Sequence, residues 1–140
     1  MPLTLTQANT ICEKALEHAR AKNYAKLTIV VLDEAGNLKA AQREDGASMF
    51  RYDVALGKAW GSVAMSCSSR KLAERAKGNQ NFFLTLASTA QGKFLPQQGA
   101  VSSRGWELAI VSLFPESATT MKYVPAGRTR DRSSYVRSVR

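Results

Sequence analysis

Apolar side chains recur along the first twenty residues at steps of three and four: Ala8, Ile11, Cys12, Ala15, Leu16 and Ala19. That spacing predicts an amphipathic helix over residues 6–22, with Thr6 as its N-cap. The pattern then changes. Leu27 to Asp33 is a continuous run rich in β-branched residues, followed by Glu34-Ala-Gly-Asn37 and by Leu38 to Arg43. A Gly-Asn pair between two such runs marks a turn between strands, so the segment predicts a β-hairpin whose first strand is central.

From Ser48 the helical period returns through Met49, Tyr52, Leu56, Ala59, Trp60 and Val63. This second helix is rich in small residues (Ala55, Gly57, Ala59, Gly61, Ser62, Ala64). Each glycine costs up to ~1 kcal/mol of helix propensity relative to alanine, so the helix must pack closely on its own sheet, a partner subunit or a ligand. A short helix capped by Ser68 or Ser69 runs through Lys77 to Gly78, and another spans Asn81 to Ala90 before Gly92. Two extended segments follow, Gly99 to Ser102 and Trp106 to Phe114. The order of helix, hairpin, helices and hairpin predicts an α+β domain, with an antiparallel sheet of about five strands flanked by helices.

At 140 residues the chain has the size of one domain, and its 44% hydrophobic and 22% charged residues are the proportions of a folded protein. The longest apolar run, Leu27 to Leu32, is far below the roughly 20 residues that span a bilayer, and residues 1–20 carry no signal-peptide pattern, so a cytoplasmic location is expected. Cys12 and Cys67 match no metal or haem-attachment spacing and read as small apolar residues in a reducing compartment.

The net charge of +9 raises nucleic acid as a partner, but its distribution argues against it. From Lys122 onward six basic side chains face one acidic one, while the first 121 residues carry 14 basic and 10 acidic groups. The expected division is therefore a single domain over 1–121 and a basic tail over 122–140, whose Gly127-Arg-Thr-Arg-Asp-Arg-Ser-Ser134 reads as a solvated, disordered end.

The stretch Val31-Leu-Asp-Glu-Ala-Gly-Asn-Leu-Lys-Ala-Ala-Gln-Arg-Glu-Asp-Gly-Ala47, then Asp53-Val-Ala-Leu-Gly-Lys-Ala-Trp60 and Ser68-Ser-Arg70, resembles the signature of the GlcG/HbpS-like, or haem-degrading domain, family. Leu5-Thr-Gln-Ala-Asn9 fits as well, so the resemblance covers residues 3–100. It implies a profilin-like α/β sandwich that assembles into dimers or larger rings. It also implies kinship with haem-binding proteins, with accessory proteins of glycolate, glycerol and diol utilisation, and with domains fused to corrinoid adenosyltransferases.

Past Gly99 the likeness stops. Relatives end on a Gly-rich strand, an acidic loop and a helix, which Ile110 to Gly127 does not supply. Read from the last base of each preceding codon, however, possible codons for Thr119 to Gly127 spell Asp-Asp-Asp-Glu-Val-Cys-Ala-Arg-Gly, which does resemble the family. Our hypothesis is a reading-frame shift between Gly105 and Val111, in the gene or its recorded sequence. On that hypothesis the basic tail is an accident of frame, and the acidic loop and last helix are lost. Resequencing that returned the present frame uninterrupted would refute a recording error.

Candidate chemistry is limited by a single histidine, His18, which any triad, two-histidine zinc site or histidine-ligated haem must use. It flanks the apolar stripe of the first helix, and the resemblance to haem-binding relatives implies the role of axial iron ligand for it. Imidazole suits that role because one ring nitrogen donates to the metal while the other is oriented by a hydrogen bond. The competing reading is a half-exposed structural histidine.

Arg43, Glu44, Asp45, Asp53, Lys58 and Arg70 form a second constellation, at a strand end and around the second helix. Mixed charges there can hold carboxylates, including haem propionates, or can simply cap the helix and pair with one another. Met49, Trp60, Met65, Phe82 and Phe83 would line an apolar haem or corrinoid pocket, or else the core. Gly57-x-x-x-Gly61 favours a close helix contact, and no phosphate-cradling loop is present.

Three functions remain. The first is a haem- or tetrapyrrole-binding homo-oligomer using His18, with Arg43, Asp53, Lys58 and Arg70 as further cofactor contacts. The second is a small enzyme or accessory acting on carboxylates or aldehydes through Arg43, Asp53 and Lys58, and the third is a ligand-free interaction protein. No membrane partner is expected.

Overall fold

The computed structural model describes residues 2–103, 106–111, 121–122 and 137–138, with side chains placed through residue 100. Helix α1 spans Leu5–Ala21. Its start lies before the one expected at Thr6, because Thr4 and Gln7 complete a capping box: Thr4 Oγ1 accepts from Gln7 N–H and Gln7 Oε1 from Thr4 N–H. Strands β1 (Thr28–Asp33) and β2 (Leu38–Arg43) form the expected hairpin. Helices α2 (Phe50–Ala64), α3 (Ser69–Gly78) and α4 (Gln80–Thr89) follow, then β3 (Ala100–Ser103) and β4 (Trp106–Val111). Met121–Lys122 (β5) pairs with Arg137–Ser138 (β6) as a separate two-stranded element. The rest of the basic tail, and with it the expectation of disorder there, lies outside the described residues, as does the strand beyond Val111.

The main sheet is antiparallel in the order β2-β1-β4-β3. Four strands replace the five or so expected among the described residues, and β1 is an interior strand as its composition requires. Alternation along β1 divides the core. Ile29 and Val31 face α1, packing with Ala8, Ile11, Cys12, Ala15 and Ala40, while Val30 and Leu32 face α2 and pack with Ala55, Ala59 and Ala100. Covered on both sides, β1 shows no polar alternation. Burial of each of these branched side chains stabilises the fold by about 1.5–3 kcal/mol.

The small residues of α2 answer to a contact within the chain. A Cβ on Gly57 would stand 3.0 Å from Leu95 Cβ, and one on Gly61 would stand 3.2 Å from Leu72 Cδ2. Gly57 O also accepts from Leu95 N–H at 3.1 Å. The glycine pair therefore serves the chain's own 93–95 segment. At the β1–β2 turn Gly36 has φ +80°, a conformation that favours glycine, while a Cβ there would meet the Trp60 ring at an ordinary contact distance of 3.6 Å.

Candidate functional site

Helix α1 ends in a Schellman motif: Asn23 takes φ +52°, its N–H reaches Arg20 O, and Tyr24 N–H reaches Ala19 O. The motif turns Tyr24 back onto the helix, where it packs on Ala19, Leu16 and Leu27. The Tyr24 ring stands edge-on to His18, with centroids 6.5 Å apart. His18 is half-buried, and its Nε2 is enclosed without a hydrogen-bond partner. A polar nitrogen removed from water with nothing to bond is costly, and in a native protein it asks for an explanation.

The lock beside His18 went unrecognised in the sequence. Arg20 donates from Nη2 to Tyr24 O at 2.9 Å and to Ala25 O at 3.3 Å, and pairs with Glu44, Nε to Oε1 at 2.8 Å. Glu44 Oε2 then accepts the Leu27 N–H at 2.6 Å, and Glu44 N–H donates to Leu27 O. Glu44 belonged to the charged constellation read as a ligand site. Here it ties the β2 exit to the start of β1.

The remaining candidates are dispersed. Arg43 lies opposite Thr28 in the β1–β2 register and donates from Nη1 to Ala47 O, closing the loop that leads into α2. Asp53 is exposed in the first turn of α2, and Arg70 is exposed in the first turn of α3. Lys58 is half-buried, and that burial holds its ammonium below the usual lysine range. Among the described residues no ion pair joins Arg43, Asp53 and Lys58. His18 sits on the α1 side of the sheet and Asp53 and Lys58 belong to α2 on the other, so the five do not converge on one point.

The aromatic and methionine candidates separate too. Met49 is 83% exposed at the α2 start, whereas Phe83 is buried with Leu72 and Phe94, and Trp60 and Met65 pack against that cluster. Ser69, in the sequence motif but not singled out, is a buried connector: its Oγ accepts from Gly99 and Ala100 N–H and donates to Ala100 O at 2.8 Å.

Cys12 and Cys67 are free thiols, the first fully buried. Burial, reinforced by the Glu13 carboxylate, pushes the Cys12 thiol up to about 11. Among the described residues no three His, Cys, Asp or Glu side chains cluster to hold a metal, and no helix is long and apolar enough to cross a membrane.

The fold is shared with solved structures. The chain superposes on the Klebsiella pneumoniae protein ORFY, a DUF336 protein, with TM-score 0.68, 20% identity and 79% of each chain covered. Against HbpS the TM-score is 0.64 at 23% identity, covering 78% of this chain and 76% of that one. Against PduOC in a complex with haem it is 0.69 at 21% identity, covering 83% and 86%. No curated protein sequence matches. A family model described as haem-degrading protein HbpS-like matches residues 3–107, three quarters of the 140 residues, and the chain belongs to that HbpS-like family.

Proposed function

We propose that this protein binds haem or a closely related tetrapyrrole, with His18 as the protein ligand to the metal. The observation that carries the reading is the buried, unpartnered Nε2 of His18, beside an apolar wall of Leu16, Ala19, Tyr24 and Leu27. An imidazole nitrogen held away from water and left without a donor or acceptor fits a metal ligand better than a satisfied core histidine. Membership of the HbpS-like family and the fold shared with a protein crystallised with haem support the same reading.

What this chain supplies to such a group is a nitrogen donor, an aromatic ring and a lock that holds both. The bound group would supply the redox or ligand-exchange chemistry of its iron. Since Nε2 is closed off, Tyr24 must shift to admit a ligand, and the Arg20–Glu44 clasp sets how far it can. Arg43 lies directly opposite Thr28 in the β1–β2 register, hence on the α2 face of the sheet and away from His18, and it is not assigned to the tetrapyrrole. Asp53, Lys58 and Arg70, on the helices of the opposite layer, are not assigned to it.

The reading also includes a profilin-like sandwich and self-association in a cytoplasmic setting. Exposed Met49 and Phe50, side by side at the α2 start, favour association, and two free thiols favour a reducing compartment. Haem titration followed at the Soret band tests the cofactor: a saturable red-shifted band that His18→Ala loses supports it, and indistinguishable spectra for the two proteins would refute it. A parallel cobalamin titration tests the corrinoid alternative.

A further inference from the structure

Helix α2 buries a positive charge that no side chain neutralises among the described residues. Arg51 is only 8% exposed, yet its Nε and Nη1 are enclosed and have no hydrogen-bond partner. Ser62 Oγ, fully buried on the same helix, is equally without one. The contrast with other helical hydroxyls is informative: Thr10, Thr85 and Thr89 each donate to the carbonyl four residues back at 2.9–3.0 Å. Ser62, more deeply buried than any of these, does not.

At 100° per residue, positions 51, 55, 58 and 62 fall within an arc of roughly 60° on one side of α2. The row therefore reads arginine, alanine, lysine, serine. Between Arg51 and Lys58, Ala55 is fully buried and packs with Val30 and Leu32 of β1. Arg51 and Lys58 are separated by roughly 10 Å along the axis, a gap that two long side chains can close on one small molecule. The one acid of α2, Asp53, projects from the opposite side of the helix and is exposed. Of the acids in the preceding loop, Glu44 is committed to Arg20 and Leu27, and Asp45 is exposed. Lys58, half-buried and in no ion pair among the described residues, gives the row an opening to solvent.

Thr28 adds a further orphan. Its Oγ1 is buried without a partner on β1. By alternation it lies on the same face as Val30 and Leu32, toward α2, at the end of the sheet from which α2 sets out. A buried guanidinium flanked by unpartnered hydroxyls is an environment short of acceptors and rich in donors, which a carboxylate completes.

We infer that Arg51, Lys58 and Ser62 form a binding site for a small dicarboxylic acid, the guanidinium taking one carboxylate and the ammonium and hydroxyl taking the other. The site lies across the sheet from His18 and does not depend on tetrapyrrole binding there. It explains why the fold tolerates an uncompensated buried arginine, which is otherwise a cost without return.

The test is calorimetric titration of the full-length protein with malonate, succinate and acetate, with thermal unfolding and sedimentation run on each variant. Wild type is expected to bind malonate or succinate saturably and at least tenfold more tightly than acetate. Arg51→Met should lose that binding at least tenfold while unfolding at a temperature no lower than wild type, because it removes a buried charge without losing a bond. Ser62→Ala should weaken binding severalfold in a folded protein, and His18→Ala should bind the diacid as wild type does. Failure of wild type to bind either diacid, or equal binding by wild type and Arg51→Met, would overturn the inference. Dissociation of an oligomer by Arg51→Met, with no diacid bound by wild type, would overturn it in favour of a carboxylate from a second copy of the chain.

Discussion

Arg20 on α1 and Glu44 at the exit of β2 meet at 2.8 Å, 24 residues apart in sequence, and the second oxygen of Glu44, which also accepts from Arg20 Nη2, holds the Leu27 N–H at the start of β1. Three elements are fastened by one carboxylate. Because Leu27 is 1% exposed, its N–H has no water to fall back on when that carboxylate is removed.

Glu44→Ala is therefore expected to destabilise the fold by about 1–3 kcal/mol, the cost of stranding a buried donor. Glu17→Ala breaks the exposed Lys14–Glu17 pair at 2.7 Å and should leave stability nearly unchanged. Chemical denaturation of the two variants side by side checks the contrast, and equal losses would mean that the clasp is no more than a surface pair.

Cys12 couples stability to alkaline pH. Its thiol is raised from 9.0 to about 11 by burial, so the folded state holds the proton more tightly than the unfolded one. The unfolded chain releases it first, and stability is intact below pH 9 and declines as pH rises from 9 toward 11. Unfolding free energies for wild type and Cys12→Ala across that range should differ in slope, with the steeper fall in wild type. Parallel curves would show that Cys12 does not titrate differently in the two states.

Gly57 is held to 3.0 Å between a side chain added there and Leu95 Cβ. Gly57→Val should destabilise the protein by about 1–3 kcal/mol through overpacking, despite valine's better helix propensity. A neutral or stabilising effect in thermal unfolding would show that the 93–95 segment can move aside.

Tyr24 stands against His18, so its size should govern access. Tyr24→Ala is expected to accelerate haem uptake in stopped-flow absorbance without abolishing it, whereas Tyr24→Phe should behave as wild type. Slower uptake by Tyr24→Ala would assign the ring to the bound state.

The main elements were legible because their signals are local. Four consecutive apolar residues in β1, Ile29 to Leu32, announce a strand covered on both faces, and the stepping of Ala8, Ile11, Cys12, Ala15 and Ala19 announces α1. The capping box Thr4-x-x-Gln7 was readable as well, and would have placed the N-cap at Thr4 rather than Thr6. The roles of charged residues were not legible in the same way. Glu44 and Arg43 have the same polarity whether they bind a ligand or fasten a loop, and only the three-dimensional register decides. Arg51 follows the stripe of Ala55 and Ala59 one turn earlier, which does place it toward the interior, but its charge argues for solvent, and the spacing alone does not resolve the two. His18 stood at the flank of its stripe, where the structure puts it. The Schellman turn that brings Tyr24 back beside it was not read from the sequence.

The measurement that bears most directly on the central claim is reconstitution of His18→Gly with haem, in the absence and presence of free imidazole, read by visible absorbance. The account predicts a one-to-one, saturable Soret band in wild type, its loss in His18→Gly, and its return when imidazole fills the vacated ligand position. A wild-type band unchanged by His18→Gly, or a loss that imidazole does not repair in a folded variant, would contradict ligation by His18.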